Sequence, residues 1–324
     1  MDEFDFIATY LAPLAGKGGL SLSDDAAILT PRSGKDLILT KDAMVEGVHF
    51  PKGHYGGDTA EKLLRVNLSD LAAKGARPIG YLLSIVWPDN IDPSHFKGFA
   101  AGLFDVQQTY DFELLGGDTT RSNGPMVVSA TLIGEVPKGA MVKRSGAQIG
   151  DDIWVSGALG DAYLGLQNVL GRTLEPTPSA EAIWHFEEAY YRPEPRLLLR
   201  KMLREHATAC ADISDGLLAD AGHIAKASGV EFTIEFGNLP FSNFAAAWAQ
   251  NDEARLLELI TAGDDYELVF TASRASRQAI MAQAEKLGLH ITAIGYITNA
   301  GQDVVLRHMT GKVINVPKRG YKHF

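Results

Sequence analysis

The chain has 324 residues, 46% of them hydrophobic and 22% charged, with a net charge of −10. This composition is ordinary for a globular protein, and the length favours two domains. The acidic balance argues against nonspecific nucleic-acid binding, which needs basic patches. One cysteine, Cys210, excludes an intrachain disulfide and thiolate metal centres. The apolar runs are too short to span a membrane and the acidic N-terminus is unlike a secretory signal, so we expect a cytoplasmic protein.

The first half of the chain alternates between helical and strand patterns. Apolar residues at helical spacing predict helices over 4–14, 59–74 and 93–110, the second capped by Thr59. Apolar runs predict strands over 37–39, 81–86, 112–115 and 126–136. We place a domain boundary in the polar, Gly-containing connector that follows, which gives an N-terminal domain 1–140 and a C-terminal domain 141–324.

The second half continues the alternation to its end. Strands are predicted over 153–156, 209–213, 231–236, 266–271 and 291–297, with a hairpin-like region over 304–316. A helix should follow Gly160, and further helices are predicted over 180–191, 196–206, 214–228, 253–262 and 276–287. This order favours an α/β or α+β architecture.

Aspartates recur at the ends of the apolar runs, and this repetition is the main clue to function. They are Asp24, Asp25, Asp42, Asp118, Asp212 and Asp215, with Asp70 on a predicted helix beside Asn67. Carboxylates without nearby Cys or paired His select Mg²⁺, which binds jointly to protein carboxylates and substrate phosphates. The alternative for each aspartate alone is a turn or helix-cap residue.

Other segments have both a binding and a structural interpretation. Gly116 and Gly117 allow close approach of a ligand or form a tight turn, and Ser214-Asp215-Gly216 is an anion site or a plain helix cap. Arg144 could pair with a phosphate or be a solvated linker charge. The sequence contains no P-loop, G-x-G-x-x-G, H-E-x-x-H or G-x-S-x-G motif.

Eight segments, in order and over nearly the whole chain, resemble the thiamine-monophosphate kinase family of the aminoimidazole ribonucleotide synthetase (PurM-like) superfamily. They are SDDAA, LTKDAMVEGVHF, VNLSDLAAKGARP, LLGGDTTR, VKRSGA, DISDGLLADAGHI, AGDDYELVF and RGYKHF. The resemblance implies a two-domain fold, with an N-terminal mixed sheet that forms a dimer barrel and an α/β C-terminal domain. It implies transfer of the ATP γ-phosphate to thiamine monophosphate by a homodimer whose N-terminal domain holds ATP and several Mg²⁺ ions.

The resemblance also assigns roles to individual residues. Metal-binding positions are matched by Asp25, Thr40, Asp42, Asp70, Asp118, Asp212 and Asp215. Nucleotide contacts are matched by Tyr110, Gly117, Asp118, Arg144 and Ser214. Substrate positions are matched by His49, Asp264 and Tyr321. We expect in-line phosphoryl transfer, with Asp42, Asp70, Asp118 and Asp212 as the catalytic carboxylates.

Three positions depart from the family pattern. Ser21-Leu22-Ser23 replaces the glycines of G-x-G-D-D, Lys41 stands where Thr or Ser is usual, and Asp264 stands where Glu is common. Lys41 either supplies a fixed ammonium in place of one Mg²⁺ or points away from the site. The alternatives for function are another PurM-like ATP-dependent enzyme and a noncatalytic nucleotide-binding sensor of the same fold.

Overall fold

The computed structural model describes residues 2–321, and the chain divides into two compact units. Unit 1 contains the chain up to Leu71 together with Ala76–Ala140, and unit 2 contains Ala72–Gly75 and the chain from Met141 onward. Among the described residues, no helix has the length and apolar character needed to cross a membrane.

Unit 1 is built from helices and one sheet. Its helices are α1 (Glu3–Phe6), α2 (Gly57–Ala73) and α3 (Ser94–Tyr110), and its strands are β1 (Lys35–Val45), β2 (Arg77–Pro88), β3 (Glu113–Ser122) and β4 (Val127–Pro137). The helix predicted over 4–14 is broken: after α1 the chain continues in a π turn and a 3-10 turn that contains Pro13. Thr59 lies inside α2 rather than at its cap, and its hydroxyl donates to the His54 carbonyl at 2.5 Å.

The four strands of unit 1 form a mixed sheet in the order β1-β4-β2-β3. β4 is antiparallel to both β1 and β2, and β2 is parallel to β3. One face is covered by helices; Trp87 of β2, for example, packs against Phe96 and Phe99 of α3. The other face, which we call the open face, carries Leu39 (66% exposed) and Leu82 (41% exposed).

Two strands of unit 1 are longer than their apolar runs predicted. The run 37–39 is the middle of β1, which continues through Asp42, and the run 112–115 continues as β3 through Asp118. Asp42 and Asp118 therefore lie within strands and not beyond their ends, which corrects the placement expected from the sequence. Both are edge strands, and alternation along an edge strand admits polar side chains without ending it.

Unit 2 contains a seven-stranded sheet in the order β11-β10-β7-β9-β5-β8-β6. Its strands are β5 (Asp151–Ser156), β6 (Ala207–Asp212), β7 (Val230–Glu235), β8 (Leu268–Ser273), β9 (Ile291–Ala300), β10 (Val304–Arg307) and β11 (Val313–Ile314). Its helices are α4 (Asp161–Val169), α5 (Ala180–Tyr191), α6 (Arg200–His206), α7 (Leu217–Ser228), α8 (Asn243–Ala249), α9 (Glu253–Thr261) and α10 (Arg277–Leu287). The mixed α/β architecture expected from the sequence is confirmed.

Two differences from the expected elements affect the loops of unit 2. Helix α8 was not predicted; its start is capped by Ser242, whose hydroxyl accepts from the Ala245 N–H at 3.0 Å. Helix α7 begins at Leu217, so Ser214, Asp215 and Gly216 form a loop. Gly216 has a φ of 115°, which favours glycine and turns the chain into the helix.

Candidate functional site

Unit 1 brings together three of the predicted metal-binding residues and one residue that the sequence reasoning assigned no role. We call Thr40, Asp42, Asn67 and Asp70 the carboxylate cluster. The Thr40 hydroxyl donates to Asp70 Oδ2, and the Asp42 N–H donates to Asn67 Oδ1 at 3.0 Å. Asn67 is buried and its amide also donates to the Leu63 carbonyl at 2.8 Å, so α2 holds β1 at this point.

The pattern of strand and helix explains why these side chains meet. Thr40 and Asp42 are two apart on β1 and share one face of the strand, whereas Asn67 and Asp70 are three apart and share one face of α2. Burial, and then the charge of Asp70, raise the pKa of Asp42 to about 6, and the charge of Lys41 opposes this shift. The two carboxylates, with the Thr40 hydroxyl, form an oxygen-rich donor set that suits a hard divalent cation such as Mg²⁺.

Lys41 lies on the opposite face of β1 from this cluster. Its ammonium donates to Ser129 Oγ of β4 at 2.8 Å, and its side chain is exposed on the open face. Of the two interpretations of Lys41, the structure therefore favours the one in which it points away from Asp42.

Asp118 is not brought to the carboxylate cluster within unit 1. It pairs in register with Ser84 of β2, so both side chains lie on the open face, and β3 is the edge strand opposite β1. Three strand spacings separate the two edges, about 14 Å. Gly117 is required by strand packing, because a Cβ there would lie 1.8 Å from the Leu83 carbonyl oxygen.

The remaining predicted residues of unit 1 lie at separate points. Asp25 is exposed in the loop before β1. His49 closes a tight turn, with its Nδ1 accepting from the Val45 N–H at 3.0 Å. Tyr110 ends α3, and its hydroxyl accepts from Arg65 at 2.8 Å.

Unit 2 brings together four predicted residues from three separate segments, which we call the loop cluster: Ser214, Asp215, Asp264 and Tyr321. The Asp264 N–H donates to the Ser214 carbonyl and the Tyr321 N–H to the Asp215 carbonyl, each at 2.9 Å. Asp264 has a φ of 77°, a left-handed conformation that Asp tolerates better than most residues. Backbone hydrogen bonds thus join the loops after β6 and before β8 to the C-terminal segment.

Helix α7 adds two residues to this cluster that the sequence reasoning missed. Asp220 accepts from the N–H groups of Ser214 and Asp215, both at 3.0 Å, and burial is the main cause that raises its pKa to about 7. Carboxylate and imidazole atoms of Asp215, Asp220 and His223 lie within 4.8 Å of one another, as metal ligands would. Because Asp220 and His223 are three apart on a helix, their shared face was readable from the sequence.

Two further predicted residues of unit 2 lie outside the four residues that define the loop cluster. Asp212 ends β6 and is buried. Arg144 is exposed, and its carbonyl accepts from the Ser228 hydroxyl at 3.4 Å.

Comparison with known proteins identifies the family. Residues 23–136 match the N-terminal domain and residues 148–307 the C-terminal domain of AIR synthase related proteins. The chain is 41% identical to the thiamine-monophosphate kinase of Caulobacter vibrioides, over 99% of this chain and 90% of the relative. The chain belongs to the thiamine-monophosphate kinase family. The family resemblance of the eight sequence segments is therefore confirmed.

Further relatives agree with this assignment. The thiamine-monophosphate kinase of Escherichia coli K12 is 36% identical over 99% of this chain and 98% of the relative. The crystal structure of the Stenotrophomonas maltophilia K279a enzyme matches with a TM-score of 0.80 and 41% identity, over 90% of this chain and 91% of that chain. The structure of AaThiL complexed with AMPPCP and TMP matches with a TM-score of 0.78 and 32% identity, over 99% and 97%. The hydrogenase maturation protein HypE, at 17% identity and a TM-score of 0.78, shares the fold.

Proposed function

We propose that this protein transfers the γ-phosphate of ATP to thiamine monophosphate and forms thiamine diphosphate and ADP. The observation that carries the proposal is the carboxylate cluster within a chain of this family: Thr40, Asp42 and Asp70, which the sequence resemblance matches to metal-binding positions, belong to one hydrogen-bonded cluster. A related structure of 32% identity contains AMPPCP and TMP, an ATP analogue and the acceptor. The cytoplasmic location expected from the sequence stays a prediction.

We propose that Asp42, Asp70 and Thr40 hold Mg²⁺, and that Asp25, Asp118, Asp212 and Asp215 contribute further ligands. Bound Mg²⁺ neutralises charge on the transferring phosphates. The protein's own part is positioning: Asn67 fixes the backbone of Asp42, and the Thr40 hydroxyl orients Asp70. The acceptor oxygen belongs to a phosphate that is already ionised at neutral pH, so the chain need not supply a general base.

The other predicted contacts remain part of the same proposal. Tyr110, Gly117, Asp118, Arg144 and Ser214 would contact the nucleotide, and His49, Asp264 and Tyr321 the thiamine substrate. Support for the substrate residues comes from the loop cluster, where the backbones of Asp264 and Tyr321 both bind the Ser214–Asp215 loop. The domain roles, with nucleotide, Mg²⁺ and dimerisation in 1–140, are proposed on the same basis.

A coupled assay of ADP release with ATP, Mg²⁺ and thiamine monophosphate tests the reaction, with the diphosphate product identified by chromatography. We expect turnover that requires all three components. Tight ATP binding without phosphate transfer would instead support the nucleotide-sensor alternative and overturn the kinase proposal.

We propose further that a second copy of the chain covers the open face of the unit 1 sheet. Leu39 and Leu82 are exposed there, although large apolar side chains gain from burial. Leu39→Glu should convert a dimer to a monomer in light scattering, whereas Leu198→Glu, at an equally apolar and 59% exposed position in unit 2, should not. A monomeric native protein would contradict this proposal.

A further inference from the structure

The loop that follows β1 contains His49, and a backbone hydrogen bond determines where the proton of this imidazole lies. We call residues 46–55 the His49 loop. His49 Nδ1 accepts from the Val45 N–H at 3.0 Å. Because a backbone N–H only donates, the ring is neutral and carries its proton on Nε2. His49 therefore offers a ligand a hydrogen-bond donor, Nε2–H, and not an acceptor.

Backbone hydrogen bonds close the turn around His49. The N–H groups of Val48 and His49 both donate to the Val45 carbonyl, at 3.1 and 2.9 Å. The Gly47 N–H donates to the Phe50 carbonyl at 2.7 Å, and Gly47 has a φ of 77°, which favours glycine. These bonds are internal to the turn, so its position within unit 1 depends on contacts that its neighbours make outside it.

Glu46, a half-buried residue at the start of the loop, makes such contacts with its carboxylate. Its Oε2 accepts from the Met126 N–H at 2.8 Å, directly before β4. Its Oε1 accepts from the Gly53 N–H at 3.1 Å and from the Tyr55 hydroxyl at 2.8 Å. The Glu46 N–H also donates to the Met126 carbonyl at 2.9 Å. One side chain thus joins both ends of the His49 loop to the sheet.

The charge of Glu46 strengthens these contacts. Burial opposes its ionisation, but its hydrogen bonds and the charge of Lys52 outweigh burial and lower the pKa of Glu46 below its ordinary value. Burial, and then the hydrogen bond to Glu46, raise the pKa of Tyr55, so the phenol keeps its proton and donates. Hydrogen bonds to an ionised acceptor are about twice as strong as neutral ones.

Glu46 is connected to the carboxylate cluster through the two elements that form the cluster. Strand β1, which carries Asp42, ends directly before Glu46. Helix α2, which carries Asp70, begins two residues after Tyr55. Asp42 and Glu46 are four residues apart, about 13 Å along an extended strand, so Glu46 acts through the backbone and not by contact with the same ion.

We propose that Glu46 is a positioning residue for the phosphate acceptor: it fixes the His49 loop so that His49 presents Nε2–H as a donor to thiamine monophosphate. The inference rests on the proposed function, in which His49 contacts this substrate. Glu46 itself contacts neither the substrate nor Mg²⁺ and acts through His49. Loss of the Glu46 carboxylate should therefore weaken binding of the acceptor and leave binding of ATP unchanged.

Glu46→Gln tests this role with little change of shape. The NH₂ group of Gln cannot accept a hydrogen bond, so the donors on one side of the side chain lose their acceptor. At saturating ATP, KM for thiamine monophosphate should rise at least about 10-fold, because a small displacement of a positioned group is costly. KM for ATP should stay within about 2-fold. A smaller rise for thiamine monophosphate, or an equal rise for ATP, would overturn the proposal.

A double-mutant cycle determines whether Glu46 acts through His49. His49→Ala alone should raise KM for thiamine monophosphate at least about 10-fold. In that background Glu46→Gln should add less than about 3-fold, because the group that Glu46 positions is already absent. Effects of the two substitutions that multiply would show that Glu46 acts by another route and would overturn the proposal.

Two single variants complete the kinetic test. Glu3→Gln makes the same change at an exposed position in the first turn of α1, is the matched control, and should keep native KM values for both substrates. Tyr55→Phe removes one donor to Glu46 and leaves the bonds from Met126 and Gly53. It should raise KM for thiamine monophosphate at least about 2-fold, but less than Glu46→Gln does. If Glu46→Gln fails to fold, an unchanged KM in Tyr55→Phe overturns the proposal.

NMR of protein with isotopically labelled histidine separates this inference from the kinase proposal, because it needs no turnover. The His49 signal, identified by its loss in His49→Ala, should show a single neutral tautomer with the proton on Nε2. In Glu46→Gln the same signal should show a mixture of protonation states. If the mixture is observed, the positioning of His49 by Glu46 stands even without phosphate transfer. If Glu46→Gln keeps the single Nε2–H tautomer, the inference is wrong, and kinase activity is judged separately.

Discussion

The carboxylate cluster of unit 1 and the loop cluster of unit 2 are held together in different ways. In the first, Thr40 bonds Asp70 and Asn67 bonds the Asp42 backbone, so a strand and a helix meet through side chains. In the second, Asp264 and Tyr321 bind the Ser214–Asp215 loop through backbone groups. Removal of a charge should therefore impair the function of the carboxylate cluster most. A change in the backbone path should instead impair the loop cluster most.

Loss of one carboxylate from the first cluster should have the largest effect. Asp42→Asn should lower kcat at least about 100-fold, because a neutral amide would hold Mg²⁺ far less well than a carboxylate would. The fold should remain. Without Mg²⁺, thermal unfolding should show that the variant's unfolding free energy at pH 7 is higher than that of the native protein by on the order of 1–2 kcal/mol. The sign follows from the raised pKa of Asp42: its ionised form is less favourable in the folded chain than in the unfolded one.

Asp36→Asn is the matched control for this variant, because it makes the same change on the same strand. Asp36 accepts from the Gly139 N–H at 2.7 Å and pairs with Val136, whereas Asp42 pairs with Ala130 further along β4. It should keep near-native kcat. Full activity of Asp42→Asn at saturating Mg²⁺ would remove Asp42 from the metal site.

A change of backbone path should have the next largest effect, in the second cluster. A Cβ added at Gly263 would lie 2.3 Å from the Ser214 carbonyl oxygen, so Gly263→Ala must push apart the two loops that carry Ser214 and Asp264. We expect a loss of about 1–3 kcal/mol in unfolding free energy and at least about 10-fold in kcat/KM for thiamine monophosphate. Denaturant unfolding measures the loss of unfolding free energy, and steady-state kinetics measure the loss of kcat/KM.

Gly222→Ala provides the contrast within the same unit. Its added Cβ would come no closer than 3.9 Å to Val304, and helix α7 favours Ala over Gly by about 1 kcal/mol. This variant should be more stable and equally active. If Gly263→Ala were as stable and as active as Gly222→Ala, the backbone path at Gly263 would not determine the arrangement of the loop cluster.

This contrast also explains what the sequence could predict. Helix periodicity predicted that Asn67 and Asp70 share a face, because this pairing depends on local geometry alone. The predicted strand ended before Thr40, so the role of Thr40 came only from the family resemblance. The approach of Asp264 to Ser214, and of Tyr321 to Asp215, was not predicted, since residues far apart in the chain meet through loops without a repeating pattern. The family resemblance assigned these residues separate ligand roles.

The predicted ends of strands β1 and β3 in unit 1 were wrong for a related reason. An apolar run marks the buried part of a strand, but β1 and β3 continue past theirs with polar residues such as Lys41 and Thr120 on the open face. Asp118 consequently lies on that face and not beside Asp42. Which face an edge-strand carboxylate occupies depends on the register with its neighbour, and register is not visible in one strand's own sequence.

The smallest expected effect concerns the segment before Asp25, where the chain lacks the family's glycines. Leu20, Ser21 and Leu22 nevertheless have φ values of 51°, 57° and 54°, so the backbone adopts a left-handed path with residues that disfavour it. Ser21→Gly should relieve part of this strain and raise the unfolding free energy by about 0.5–1 kcal/mol in denaturant titration. Ser23→Gly should instead lower it, because Ser23 has a φ of −105° and its hydroxyl donates to the Leu20 carbonyl at 2.7 Å. Equal effects of the two substitutions would show that this turn, unlike the loop cluster, stores no backbone strain.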